Sequence, residues 1–259
     1  MLDAATCGKL ARQLDEARRL RREIEPLSKT FTELDLDDAY RIQRMGIGLR
    51  VARGEVIAGY KMGLTSKAKR EQMGLAQSVY GVLTDAMRIS DGAEFQVARG
   101  IHPKVEPEIA FVTSRELRGD LKLEEVEGAI ASICAALEIP DSRYRAFRYL
   151  SLADVVADNS SSSYFVLAKD ARVPRGLDFT HLKMRLLVDG ALKTEAESSA
   201  ISGNPVESLV QLLALLRGEE LPAASLVLTG AAAGAEPLSP GQLVELEVTG
   251  LAPVSLWAV

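Results

Sequence analysis

The sequence predicts an α+β protein, with a small helical N-terminal region over residues 1–55 and a strand-rich catalytic region over residues 56–259. Three observations predict it. Apolar residues in the first part recur at three- and four-residue spacing, the period of a helix with one buried face. From Val56 onward, short apolar and alternating runs are separated by Gly, Pro and Asp turns, the punctuation of strands. One of those strands, residues 101–112 (IHPKVEPEIAFV), carries two carboxylates two residues apart, Glu106 and Glu108.

The bulk numbers bound the function class. At 259 residues and 47% hydrophobic, the chain can bury a substantial core. A net charge of −5 gives no electrostatic case for nucleic acid. The basic run Arg18, Arg19, Arg21 and Arg22 reads as a solvated helix face. Cys7 and Cys134 lack metal-type spacing, and Cys134 lies in an apolar run, which fits a reducing compartment. There is no signal pattern and no apolar run approaching about 18 residues, so the expectation is a cytoplasmic protein without a membrane segment.

Residues 2–25 read as a helix, with Leu10, Leu14, Ala17, Leu20 and Ile24 on its apolar face and Pro26 at its end. Asp35 caps a second helix to residue 53, with Tyr40, Ile42, Met45, Ile47 and Leu49 apolar and Gly54 beyond it. Residues 56–62 form a strand, and Gly63, Leu64, Thr65 and Ser66 the turn after it. Lys61 ends that strand. It either snorkels to water or faces a cleft, where it can bind a carboxylate or transfer a proton. Residues 67–73 read as a short charged helix, 81–84 as a strand, and Asp91-Gly92 as a turn.

In the 101–112 strand, side chains alternate faces. Glu106, Glu108, Ala110 and Val112 share one face, and Val105, Ile109 and Phe111 the other. Two like charges side by side repel, and a hard divalent cation relieves that repulsion. Residues 115–120 are a polar turn, and 121–136 a helix running into a strand. Glu138 interrupts the apolar run 133–139. It is either a strand-end carboxylate half in water or a buried one that is paired or metal-bound. Residues 141–149 form a polar loop whose arginines, Arg143, Arg145 and Arg148, are solvated or meet a carboxylate. Residues 158–163 (DNSSSS) lead into a strand at 164–168.

Asp189-Gly190 centres a hairpin. Asn204 caps a helix with Pro205 first and Glu207 third, Leu209, Leu212, Leu213 and Leu216 apolar, and Gly218 at its end. Residues 225–229, 243–248 and 254–259 are further strands. Thr229-Gly230 sits at a strand end where a small ligand can be contacted. No GxGxxG precedes a helix and there is no phosphate loop. With His102 and His181 as the only histidines, the sequence does not support a His-rich zinc site or a histidine triad.

The segments GYKMGLTSKAKREQMG, IHPKVEPEIAFV, AALEIPDSRY, VVADNSSS and SGNPVESLVQLL follow in this order. Together they resemble the fumarylacetoacetate hydrolase superfamily, in its branch of 2-hydroxypentadienoate hydratases and 4-oxalocrotonate decarboxylases. The resemblance runs from about residue 30 to the end. It implies a mixed β-roll or sandwich core around the active site. It implies that Glu106, Glu108 and Glu138 hold Mg²⁺ or Mn²⁺ and that Lys61 lies in the active site, where it is the candidate catalytic residue. Thr65, Ser66, Lys104, Arg143, Ser160, Ser161 and Thr229 are the candidate substrate contacts. Gly241-Gln242 departs from the family's usual Gly-Asp, far in sequence from these residues.

The implied substrate is an unsaturated 2-oxo dicarboxylate, 2-oxo-3-hexenedioate, in meta-cleavage aromatic catabolism. Hydratases of this branch usually carry an acidic residue in a segment like Asp-Gln-Pro-Asp-Phe-Gly. Here residues 76–81 read AQSVYG, without a carboxylate. IHPKVEPEIAFV and DSRYRAFRY also look like the decarboxylases, and Lys104 and Arg143 suit a dicarboxylate. The expectation is therefore a decarboxylase, with a 2-hydroxypenta-2,4-dienoate (2-oxopent-4-enoate) hydratase as the alternative. A third reading is a non-catalytic scaffold in an oligomeric complex with a partner hydratase, contacted through the N-terminal helices.

Overall fold

The computed structural model describes residues 1–65 and 77–259. The expected helix at 67–73, and Ser66, lie outside the described residues. Helix α1 spans Ala4–Leu20, with the Asp3 carboxylate accepting from the Thr6 N–H at 2.8 Å. It stops short of residue 25 because Arg21 turns left-handed (φ 53°) and the chain leaves to bridge Ile24 to Tyr144. Leu20, expected on the apolar face, is consequently exposed. Helix α2 spans Leu36–Val51, capped by Asp35, which accepts from the Asp38 N–H at 2.8 Å. The two helices pack through residues such as Leu10, Leu14 and Ile42. Gln43 on α2 donates to the carbonyls of Tyr80 (2.9 Å) and Val156 (3.2 Å), tying the pair to the sheet region.

Two sheets follow. The larger has eight strands among the described residues. Near one edge lies β1 (Ile57–Gly63), paired with the antiparallel edge strand β2 (Val79–Thr84). On its other side β1 pairs in parallel with the later strand Leu226–Leu228. Strands β3 (Arg88–Ile89) and β4 (Glu94–Phe95) are short and polar-flanked, and no run in the sequence announced them. Strand β5 (Lys104–Thr113) pairs antiparallel with β6 (Ile130–Ile139), and β6 with β7 (Tyr164–Leu167).

Between β5 and β6 the expected long helix shrinks to α3, Leu123–Glu127. The run IASICAALEI is buried on both faces at its centre, which favours a central strand over a helix. Strands β8 (Lys183–Val188) and β9 (Ala191–Glu197) form the hairpin. Asp189 and Gly190 both take positive φ (52° and 73°), as a two-residue type I′ turn requires. Helix α4 is Leu152–Ala157, and α5 is Pro205–Leu215, with Asn204 accepting from the Val206 N–H at 2.9 Å.

Strand β10 (Leu226–Leu228) sits between β1 and β5, and β11 (Glu236–Pro237) pairs with the start of β5. Strands β12 (Leu243–Val248) and β13 (Val254–Ala258) join β8, β9 and β4 in a five-stranded sheet. That sheet packs on β6 and β7, so the core lies between the layers, as in a β-sandwich. The architecture is the mixed α+β roll expected. Among the described residues no helix is long and apolar enough to cross a membrane.

Candidate functional site

Strand register brings the carboxylates together. Along β5 and β6, Glu106 faces Glu138, Glu108 faces Ala136, and Ala110 faces Cys134. Residues opposite one another, and every second residue along a strand, share a face. Glu106, Glu108 and Glu138 therefore project together. Strand β10 sets Leu228 opposite Ala110, and β1 sets Lys61 opposite Leu228, so Lys61 belongs to the same face. Its Nζ stands 3.1 Å from Glu138 Oε2. One oxygen from each of the three glutamates lies within 4.8 Å of the others.

This group is buried. Glu108 and Glu138 are fully enclosed and Lys61 is 4% exposed. The Gly230 N–H donates to Glu108 Oε2 at 2.9 Å. Glu108 Oε1 and Glu138 Oε1 have no hydrogen-bond partner among the described residues, and Glu138 Oε2 meets Lys61 at ion-pair distance but off the hydrogen-bond line. Burial, and then the Glu138 charge, push the Glu108 carboxyl well above the usual carboxylate range, against the pull of Lys61. Burial pulls the Lys61 amine down, but Glu138, Glu106 and Glu108 outweigh it and hold the amine above its ordinary value, hence charged. Enclosed carboxylate oxygens with no donor are the atoms a hard divalent cation takes.

A cavity of about 650 Å³ opens over this face. Lys61, Thr65, Lys104 and Glu106 come from the sheet side. Phe147, Tyr149, Leu150, Leu152 and Val155 form an apolar wall from the loop and the start of α4. Ser160 and Ser161 complete it. Asn159, Ser160 and Ser161 all adopt left-handed backbone (φ 51°, 51° and 59°), which costs an L residue about 1 kcal/mol or more each. Side chains hold them there. Asn159 pairs with the Val82 N–H and carbonyl at 2.8 and 2.9 Å, and Ser160 donates to the Tyr80 carbonyl at 2.9 Å. Gly230 takes φ 100°, and a Cβ there would run into the Thr65 side chain. Only glycine can present that N–H to Glu108.

A family model, fumarylacetoacetate (FAA) hydrolase C-terminal, matches residues 57–255. The chain belongs to this family. A 4-oxalocrotonate decarboxylase from a Pseudomonas species is 39% identical over 250 residues, covering 96% of both chains. A 2-keto-4-pentenoate hydratase from Paraburkholderia phymatum is 37% identical over 234 residues, covering 89% of both. A solved structure, 4-oxalocrotonate decarboxylase from Pseudomonas putida G7 complexed with magnesium and adipate, superposes with a TM-score of 0.97. It is 33% identical, and the match covers 100% of this chain and 99% of that one.

The candidate residues fall into two groups. Glu106, Glu108, Glu138 and Lys61 share one face, and Thr65, Lys104, Ser160 and Ser161 line the cavity. Arg143 does not. Its guanidinium turns inward to the Asp158 carboxylate and carbonyl, and donates to the Asp141 carbonyl at 2.7 Å. A buried charge needs a partner, and Asp158 is that partner. Thr229 is also a correction: its hydroxyl donates to the Ile109 carbonyl at 2.9 Å and it is fully buried, while the neighbouring Gly230 makes the site contact. Sequence reasoning missed Phe147, Tyr149, Leu152 and Val155. The aromatic residues stood in plain view within DSRYRAFRY, but the arginines around them drew the reading toward charge.

Proposed function

We propose that the chain is a carboxy-lyase that converts 2-oxo-3-hexenedioate (4-oxalocrotonate) to 2-hydroxypenta-2,4-dienoate and CO₂, with Mg²⁺ or Mn²⁺ held by Glu106, Glu108 and Glu138. The observation that carries the reading is the enclosed three-carboxylate face with Lys61 at its edge, under a cavity with an apolar wall. The decarboxylase relative and the magnesium- and adipate-bound structure support it.

When bound, such an ion supplies Lewis acidity toward the C1 carboxylate and C2 carbonyl oxygen of a 2-oxo acid. The C5–C6 bond breaks, C6 leaves as CO₂, and the electron pair passes through C4 and C3 to the C2 oxygen. Lys61 Nζ, kept charged by the carboxylates, is the proton source for that oxygen. Leu150, Leu152 and Val155 exclude water where the departing carboxylate loses its charge. Among the described residues Glu106 is the one carboxylate in the cavity wall. With that group committed to a metal, no carboxylate is left among the described residues of the wall to activate water.

The experiment is a two-substrate assay. Mg²⁺-loaded protein should release CO₂ from 2-oxo-3-hexenedioate, and EDTA or Glu106→Gln should abolish the release. Undiminished CO₂ release by stripped protein sinks the metal-assisted reading. The 37% identity to a hydratase keeps one second reading in view. Formation of 4-hydroxy-2-oxopentanoate from 2-hydroxypenta-2,4-dienoate, without CO₂ release from the diacid, would select it.

A further inference from the structure

Lys104 opens β5 two residues before Glu106, on the same face as Glu106 and Glu108. At the rise of a strand it stands about 7 Å along from Glu106. Both carboxylates of a six-carbon diacid are joined through five carbon–carbon bonds, a span of similar length. Lys61, the other ammonium in the wall among the described residues, is committed to Glu138. No carboxylate pairs with the Lys104 ammonium among the described residues; it lies 4.3 Å from the centroid of the Phe147 ring. An aromatic face orients an ammonium without cancelling its charge, so a substrate anion can still be bound.

Phe147 is itself held in place. Ala146 and Phe147 both take left-handed backbone (φ 54° and 56°). The Ala146 N–H donates to Glu23 Oε1 at 2.9 Å, the Arg145 N–H to the Ile24 carbonyl at 2.9 Å, and the Phe147 N–H to the Tyr144 carbonyl at 3.0 Å. The segment after α1 thus braces the loop that carries the ring.

We infer that Lys104, oriented by Phe147, is the specificity-determining residue that recognises the distal carboxylate and selects dicarboxylate over monocarboxylate 2-oxo acids. This rests on the 2-oxo acid reading of the cavity. Because the distal carboxylate departs as neutral CO₂, the contact belongs to the ground state. Removing it raises KM without lowering kcat.

The test compares 2-oxoadipate with 2-oxopentanoate, which share a 2-oxo acid head and differ in the distal carboxylate. Binding to the Mg²⁺-loaded protein is followed by calorimetry. The wild-type protein should bind 2-oxoadipate at least tenfold more tightly. Lys104→Met should weaken 2-oxoadipate by at least tenfold, about 1.4 kcal/mol, and leave 2-oxopentanoate unchanged. Its KM for 2-oxo-3-hexenedioate should rise by the same factor with kcat not reduced, and Lys104→Arg should restore the preference. Phe147→Leu, which leaves the charge and the strand intact, should lose part of the preference and serves if Lys104→Met does not fold. Lys104→Met binding 2-oxoadipate like wild type, or losing kcat at constant KM, overturns the inference. Wild type binding both acids equally also overturns it while the 2-oxo acid reading stands. Wild type binding neither acid and releasing no CO₂ overturns that reading, and this inference with it.

Discussion

Glu108→Gln should make the metal-free protein more stable and the metal-loaded protein less so. The substitution keeps an oxygen that can accept from Gly230 N–H, now at 2.9 Å, and exchanges the charged carboxylate for a neutral amide of the same shape. Two unit charges 4.8 Å apart, the outer limit of the cluster, repel by about 3.5 kcal/mol at an effective dielectric constant of about 20. Lys61 attracts and offsets part of that. A net gain of about 1–2 kcal/mol in EDTA at pH 8 is the expectation.

The sign with pH follows from the raised Glu108 carboxyl. A folded pKa above the ordinary 4.5 means that the fold favours the protonated form. The wild-type penalty therefore vanishes as pH falls toward 4.5, and the advantage of Glu108→Gln should shrink with it. With Mg²⁺ at about one hundred times its Kd, wild type should gain about 2.7 kcal/mol that Glu108→Gln does not. Urea unfolding with and without Mg²⁺ reads both effects. A destabilised Glu108→Gln in EDTA, or one that keeps the full Mg²⁺ shift, refutes the charge argument.

Arg143→Met should cost about 3–5 kcal/mol in urea unfolding at pH 8, because it strands the buried Asp158. Burial already pushes Asp158 up to about 6 even with Arg143 beside it. Without that pull it takes a proton more readily, so the cost should diminish at acidic pH. Gly230→Ala should destabilise by more than about 1 kcal/mol and lower Mg²⁺ affinity measured by calorimetry, since the Cβ meets Thr65 and the φ is left-handed. Burial raises the Cys134 thiol from 9.0 to about 11 and the Tyr80 phenol from 10.0 to about 12. The unfolded chain therefore ionises first: these contributions are present below pH 9 and lost between pH 9 and 12. The urea midpoint should fall over that window, and an unchanged midpoint would contradict the burial.

Glu106 and Glu108 were legible because alternation is local: two residues on one strand share a face whatever the strand pairs with. The caps at Asp35 and Asn204 and the Asp189-Gly190 turn were legible for the same reason. The place of Glu138 depends on how β5 and β6 align, which no window of sequence contains; the family resemblance supplied it. Lys61 needed the alignment of four strands, β1, β10, β5 and β6. Arg143 was misplaced because a polar loop reads alike whether its arginine faces water or a buried aspartate. The left-handed residues 146–147 and 159–161 are not glycines, so the usual composition signal for such backbone is absent.

The facing of Glu106 and Glu138 has a consequence for assembly of the fold. A slip of one residue between β5 and β6 would turn Glu138 to the opposite side and leave the other two carboxylates without it. A divalent cation held by all three, as proposed, would be bound only in the native alignment. Such an ion would act as a proofreader of strand pairing, rewarding the correct register by its binding energy. Refolding in Mg²⁺ should then draw misaligned chains toward the native pairing, so that the two central strands and the ion would select one another.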